Sequence, residues 1–600
     1  MIEVSEVDDN LKVTATNDER NLTEIFSGET VVNIPLFQRE YKWGPKNLKD
    51  FWADIDAIIE GSKSSQFLGV VVTVPRPRNM GAPQVFDVVD GQQRLFTCHL
   101  AIAAAVRIAL DDNRVTWAVD VAKSLLVMRR TSTSPTNIKV IPSAKDRQQF
   151  NILWAEIANH PNVKKEGGWG EESFPTPPSP SGSNNGKLLQ QYKRIQSLLR
   201  STLQKEGFEA FEARVNVIAS KLSLVTISLR DPIAAPIIFE RLNSRGEKIT
   251  TADLVRNEIF ARDASDPARA STMFTNYWEP FQQKYEDRNL GVELLLFPYG
   301  LTFDPNVTKA ELFSKLRNRW STLGDTTDII EELDKYSDTL FALEVGDVSG
   351  DIPADLKNSL VRLHQANAPS SVYPFVFLGV SAVKEATQAA EDVAEAFSTI
   401  ESFLVRRAVC GIEPTGLHAV FKGMWNEILA DEKYGGKVRA SAVADIIRRR
   451  TTVTWPNDEA FREAFMREAL YKRKICKFVI AQLEIASSGE TPEDDFWIEH
   501  VLPNKYHADN WGIHFSNEQH AELKDTVGNL LPLTAEMNQV ASQNSYENKR
   551  IEFNKSMFST TRNFADKIDE WTPEAIVSRS KEISEWAMSR WPHSLKGTET

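Results

Sequence analysis

Residues 496–549 concentrate side chains that can do chemistry. The segment opens with Phe496-Trp497-Ile498-Glu499-His500-Val501-Leu502-Pro503 and reaches Val527-Gly528-Asn529-Leu530-Leu531-Pro532. It then runs through Met537-Asn538 to Tyr546-Glu547-Asn548-Lys549. Four of the nine histidines of the chain fall inside it: His500, His507, His514 and His520. Cutting a phosphodiester with one metal takes a base to deprotonate water, a cation on the scissile phosphate, and a rigid frame for both. A histidine at the end of an apolar strand, beside a carboxylate, supplies the base and part of the metal shell. A later asparagine on a helix can complete the coordination through its side-chain oxygen. Such an oxygen-rich, water-retaining shell suits Mg2+ or Mn2+. A middle asparagine can bond the backbone around the histidine and leave a free ring nitrogen facing the water. The competing arrangement is zinc held by His507, His514 and His520. It has no cysteine nearby, and spacings of seven and six are not typical of zinc sites.

Three polar clusters stand in apolar sequence nearer the N-terminus. They are IPLFQREYKW (34–43), DVVDGQQRLFT (87–97) and FERLNSRGEKIT (239–250), the last running into Asp253 and Leu254. In the second, a short strand ends at Val89, Gly91 permits a tight turn, and a helix starts at about Gln92. Backbone N–H groups at such a turn suit a phosphate. Arg94 in the first helical turn could clamp phosphate oxygens. Asp90 could hold a metal ion or orient a water, and Thr97 and Gln93 could bond a nucleotide. Gln38 and Arg39 add a polar group and a charge; Asn243 and Gly246 offer a sugar or base contact and a turn. No GxxxxGK[ST] loop is present. The plain alternative is structural ion pairing, Asp90 with Arg94 and Glu40 with Arg39.

The three N-terminal blocks resemble the signature blocks of the GmrSD-type N-terminal domain over about residues 20–260. That domain is similar to the ParB/sulfiredoxin fold. The resemblance implies nucleotide binding and hydrolysis by Gln38, Arg39, Asp90, Gly91, Gln92, Gln93 and Arg94, with Asn243 and Gly246 following. It leaves GTP and ATP equal. EHVLPN, VGNLLPLTAEMN and YENK resemble the HNH, or His-Me finger, nuclease motif of the C-terminal domain that accompanies it. By that resemblance His500 is the general base and Asn529 the positioning residue. Glu499 and Asn538 are metal ligands, and Lys549 contacts phosphate. The chain departs from the common pattern in having Glu499 where many relatives have Asp, and Asn538 in the third position.

The elements that must carry these groups read as mixed α and β up to about residue 260, then helical. Asn47–Glu60 puts Leu48, Phe51, Trp52, Ile55 and Ile59 on one face at helical spacing. His99–Leu110, Glu395–Val409, Phe461–Leu483 and Pro573–Trp591 also read as helices. Gln66–Val74, Val85–Val89 and Leu222–Ser228 read as strands. The Pro/Gly/Ser-rich stretch 166–187 reads as a long disordered loop. The expected fold class is α+β and predominantly helical. A ParB/sulfiredoxin-like domain over 1–260 precedes a helical linker over 261–485 and an HNH domain of ββα-metal type over 486–600.

Composition sets the outer limits. Of 600 residues, 42% are hydrophobic and 26% charged, which is ordinary globular usage with ample core material. The net charge of −13 excludes a uniformly basic coat. A local basic surface survives: residues 437–478 hold eleven Lys or Arg against five Asp or Glu, including Arg448, Arg449 and Arg450. That stretch reads either as a solvated helix face or as a DNA phosphate contact. Three widely spaced cysteines and an acidic start without a signal-peptide core point to the cytoplasm. Apolar runs such as Phe67–Val74 are about eight residues, short of the roughly 20 a membrane helix needs.

The function expected is a nucleotide-regulated, Mg2+-dependent restriction or anti-phage endonuclease acting on modified or phage DNA. Double-strand cleavage needs two active sites, which is compatible with a homodimer. The competing readings are a sensor that grips DNA without cutting it, and a nuclease whose N-terminal domain reads DNA without hydrolysing nucleotide.

Overall fold

The computed structural model describes residues 18–36, 38–78, 80–128, 138–165, 186–229, 250–263, 266–492, 496–505 and 511–593. The chain divides into two compact units. The first is Met1–Asp287 with Gly291–Glu293 and Leu316–Ile330; the second is Arg288–Leu290, Leu294–Lys315 and Glu331–Thr600. The expected boundaries at 260 and 485 do not coincide with this division.

The first unit is built on a six-stranded mixed sheet: β1 (Asp18–Asn21), β2 (Thr30–Asn33), β3 (Gln66–Pro75), β4 (Gln84–Asp90), β5 (Val140–Ile141) and β6 (Leu222–Ser228). The spatial order is β1-β6-β3-β4-β2-β5. β3 runs antiparallel to β4 and parallel to β6, with register shifts at Phe67/Gly69 and Val72/Thr73. The Gln92–Asp111 helix follows β4 and is buried along most of its length. Its run of Ala101, Ala103, Ala104 and Ala105 has no bulk to hold neighbours away. The Val115–Leu125, Lys187–Glu206 and Phe208–Ser220 helices therefore pack closely around it. By length and composition this helix could cross a membrane, but 89% of it is buried inside the protein. Most of the expected 166–187 loop lies outside the described residues; from Lys187 onward the chain is helix.

Among the described residues the second unit is helical apart from one hairpin-like pair, β7 (Trp497–His500) and β8 (Leu530–Leu533). They are antiparallel, with Glu499 opposite Leu531 and His500 opposite Leu530. One apolar cluster includes Ala366, Val405, Phe478, Leu530 and Trp591, so the helices before β7 and the segment after it share an interior. A second cluster, with Val501, Trp511, Leu531, Phe553 and Trp571, lies behind the pair.

Overall the chain is α+β and mainly helical. The expected helix over Phe461–Leu483 is instead three pieces: Asp458–Arg467, a short turn at Leu470–Lys472, and Cys476–Ser488. The break follows from tertiary contacts. The Tyr471 N–H donates to the Asp525 carbonyl at 3.1 Å and Lys472 reaches the Asp525 carboxylate, which pulls the backbone out of the helical path.

Candidate active site

The His500 site is assembled by β7, β8 and the turn before β8. His500 ends β7 and is 7% exposed. Its Nε2 lies 3.2 Å from Asp525 Oδ1. The Tyr471 ring stands edge-on to the imidazole at 4.2 Å between centroids. Burial pushes His500 below the usual imidazole range, and the Asp525 carboxylate works against that shift. Among the described residues Nδ1 has no hydrogen-bond partner.

Asn529 fixes the backbone beyond the histidine. It is fully buried, its Oδ1 accepts from the Leu502 N–H at 2.7 Å, and its Nδ2 donates to the Leu502 carbonyl at 2.9 Å. Its carbonyl also accepts from Val501 N–H at 2.9 Å. Lys524 O and Trp571 Nε1 complete its side-chain bonds. Two features hold this turn in place. Arg579 caps the Val527, Gly528 and Leu530 carbonyls, and burial brings its guanidinium down to about 10. At Gly528 a Cβ would meet the Ile576 carbonyl at 2.3 Å, so only glycine fits against the Pro573–Arg590 helix.

Glu499 lies one residue before His500, 6% exposed, and takes the Lys549 ammonium at 2.5 Å. Lys549 also donates to the His500 carbonyl at 2.8 Å and is fully buried. This corrects the expected role of Lys549: a sealed ammonium with two protein partners is a framework cation, not a surface phosphate contact. Asn538 sits on the Ala535–Ala541 helix, which packs against β7. Its Oδ1 is buried and has no hydrogen-bond partner among the described residues. An orphaned amide oxygen beside a strand that carries Glu499 fits a hard, oxygen-seeking divalent cation that keeps several waters. Among the described residues no group of three or more His, Cys, Asp or Glu gathers at a metal site. The zinc alternative loses ground accordingly: His520 bonds the Pro503 carbonyl at 2.8 Å, and His507 lies outside the described residues.

The other predicted phosphate contacts are all engaged. Arg448 donates to the His593 carbonyl at 2.9 Å, Arg449 pairs with Asp431 at 3.3 Å, and Arg450 pairs with Glu427. Lys472, by contrast, is 69% exposed while still reaching Asp525 Oδ2 at 3.2 Å.

In the first unit the second polar cluster forms a strand–turn–helix. β4 ends at Asp90, Gly91 takes φ +86°, and the helix begins at Gln92. A Cβ at Gly91 would lie 2.7 Å from the Val70 carbonyl, so conformation and space both demand glycine. The two glutamines clasp the first cluster. Gln93 Oε1 accepts from Lys42 N–H at 2.7 Å and its Nε2 donates to the Glu40 carbonyl at 3.2 Å; Gln92 reaches the Arg39 carbonyl at 3.4 Å. Asp146, absent from the sequence reading, accepts from the Tyr41 N–H at 3.0 Å, and burial pushes its carboxyl up to about 7. Arg94 turns to the Val70 carbonyl at 2.9 Å.

The clasped loop borders a cavity of about 450 Å3. Gln38 and Arg39 line it together with Lys42, Lys145, Lys187 and Arg256. Several of these cations meet carboxylates on the rim: Lys42 with Glu40, Lys145 with Glu286, and Asp253 between Arg39 and Arg256. Of the predicted nucleotide residues, then, Gln38 and Arg39 face the cavity. Asp90, Gly91, Gln92, Gln93 and Arg94 do not line it, though the two glutamines bond the backbone of Arg39, Glu40 and Lys42, which do. Asn243 and Gly246 lie outside the described residues. Lys145, Lys187 and Arg256 gave no local sequence signal, because they are scattered over more than a hundred residues.

Residues 22–260 match the family described as GmrSD restriction endonuclease, N-terminal domain, and residues 455–586 match GmrSD restriction endonucleases, C-terminal domain. Together the two matches span more than half of the chain. The chain belongs to the GmrSD restriction endonuclease family. No curated protein matches it. Membership makes the protein a restriction-type nuclease, a hydrolase whose substrate is DNA. The GmrSD C-terminal match contains His500, Asp525, Asn529, Asn538 and Lys549, and the N-terminal match contains the glycine turn with its two glutamines.

Proposed function

We propose that the C-terminal site is an HNH-type nuclease centre dependent on Mg2+, and that it acts on modified or phage DNA. The observation that carries the reading is the fixed imidazole: Nε2 on Asp525, with the following backbone held by Asn529. His500 Nδ1 takes the proton of the attacking water, the water oxygen bonds to phosphorus, and the bond to the leaving sugar oxygen breaks. Glu499 and Asn538 would hold the cation, whose bound charge supplies Lewis-acid stabilisation to the phosphate and the leaving oxygen. Lys549 keeps the Glu499 carboxylate in place.

The first-unit cavity is the nucleotide site in this reading. Its volume lies within the roughly 300–1,000 Å3 typical of small-molecule sites. A triphosphate entering it would exchange the carboxylate partners of Arg39, Lys42 and Lys145 for phosphate oxygens. Hydrolysis of GTP or ATP there would gate cleavage, which a nuclease harmful to unmodified DNA requires.

The test is cleavage of supercoiled plasmid and of phage DNA, with Mg2+ or EDTA, with and without each nucleotide. Cleavage that needs Mg2+ and vanishes in His500→Ala supports the reading. Equal cleavage by His500→Ala defeats it.

A further inference from the structure

We propose that Asp525 is the positioning residue of the nuclease site, selecting the ring tautomer of His500 that leaves Nδ1 as the basic nitrogen. This rests on the assignment of His500 as general base and adds the device that makes it one.

The geometry is closed on every side that matters. Asp525 is 3% exposed and His500 7%, so water does not dilute their contact at 3.2 Å. A carboxylate oxygen accepts, so the nitrogen facing it carries the hydrogen. A neutral imidazole then has its lone pair on the other nitrogen, Nδ1. Flipping the ring would set a C–H against a buried carboxylate and lose a charge-assisted hydrogen bond.

Asp525 is itself held at two further points. Its Oδ2 takes Lys472 Nζ at 3.2 Å. Its carbonyl accepts the Tyr471 N–H at 3.1 Å, and the Tyr471 ring stands against the imidazole. The same turn ends at Asn529, whose Nδ2 donates to the Lys524 carbonyl at 2.7 Å. One stretch, 524–529, thus governs both the ring of His500 and the backbone after it. When Nδ1 takes the proton from water the ring becomes a cation, and the Asp525 carboxylate already faces it.

The experiment uses full-length Asp525→Asn and Asp525→Ala beside His500→Ala. Cleavage kinetics are read as kcat and KM for plasmid DNA. The ring nitrogens are read by NMR of protein labelled with 15N-histidine, the His500 signals being those missing from His500→Ala. The expected result is a kcat lower by about 10²- to 10⁴-fold with KM little changed. The His500 pattern should shift from a single Nε2–H form to a mixture or to Nδ1–H. Asp525→Asn is nearly isosteric and carries the test if the alanine variant melts without cooperativity. A wild-type kcat with an unchanged ring pattern in Asp525→Asn overturns the proposal. Wild-type cleavage by His500→Ala would instead remove the reading on which it rests.

Discussion

The Lys549 ammonium meets the Glu499 carboxylate at 2.5 Å and the His500 carbonyl at 2.8 Å, so one sealed cation fastens two consecutive residues of the site. Burial draws Glu499 up and Lys549 down toward their neutral forms, and each partner's charge opposes this. Lys549→Met leaves Glu499 buried without its counter-charge. The expected cost is about 3–5 kcal/mol, the range for breaking a buried pair. Glu499→Gln combined with Lys549→Met should recover much of it, as a double-mutant cycle in denaturant will show. Equal stability of Lys549→Met and wild type would mean the pair does not bear on folding.

Asn529→Ala removes the acceptor for Leu502 N–H and Trp571 Nε1 and the donor to Leu502 and Lys524 carbonyls. Unsatisfied buried groups cost about 1–3 kcal/mol each, so the melting transition of the second unit should fall by several degrees. Cleavage should be lost with it. A variant that melts like wild type would contradict the role given to this side chain.

Gly91→Ala places a Cβ on a left-handed residue and 2.7 Å from the Val70 carbonyl. A loss of more than about 1 kcal/mol in the first unit is expected. Because the Gln93 clasp on Glu40 and Lys42 follows directly, nucleotide binding measured by calorimetry should weaken too. Retention of both stability and binding would show that the turn tolerates a side chain.

His99 gives a pH dependence. It is buried between Phe26, Phe96 and Phe150, neither ring nitrogen has a hydrogen-bond partner among the described residues, and burial pushes it down to about 3. The unfolded chain has the ordinary value near 6.5, so between these pH values it binds more protons than the folded chain. Stability should be full above about pH 6.5 and fall as pH drops toward 3, by at most on the order of 5 kcal/mol from this group. His99→Phe keeps the stacked ring and removes the titration. Its melting temperature should decline less between pH 6.5 and 4.5 than that of wild type; superimposable curves would refute the assignment.

Local chemistry was legible in the sequence where a residue's job is set by its near neighbours. Leu222–Ser228 is a strand as its β-branched pattern predicts, and the Asp90–Gly91–Gln92 turn opens a helix where glycine permits it. Short strands such as β2 and β5 carry too few residues to show a period. The partners of Arg94 and Lys549 were hidden for a common reason. A charged side chain advertises phosphate binding in one dimension, but what it meets depends on strands and helices far away in sequence. Val70 is 24 residues from Arg94 and Glu499 is 50 from Lys549. Asp525 escaped notice because its partner His500 lies 25 residues upstream, across a segment with no fixed spacing.

Because Ala366, Val405, Phe478, Leu530 and Trp591 share one apolar cluster, the C-terminal end of this chain is not a detachable cassette. A gene break that split the protein into two polypeptides would have to fall upstream of Ala366 for the C-terminal product to keep its own interior. A break near residue 485 would strand Val527, Leu530, Phe558 and Ile583 without cover and give a sticky, protease-sensitive fragment. Recombination that exchanges C-terminal ends between relatives is confined, by the same packing, to crossovers earlier in the chain.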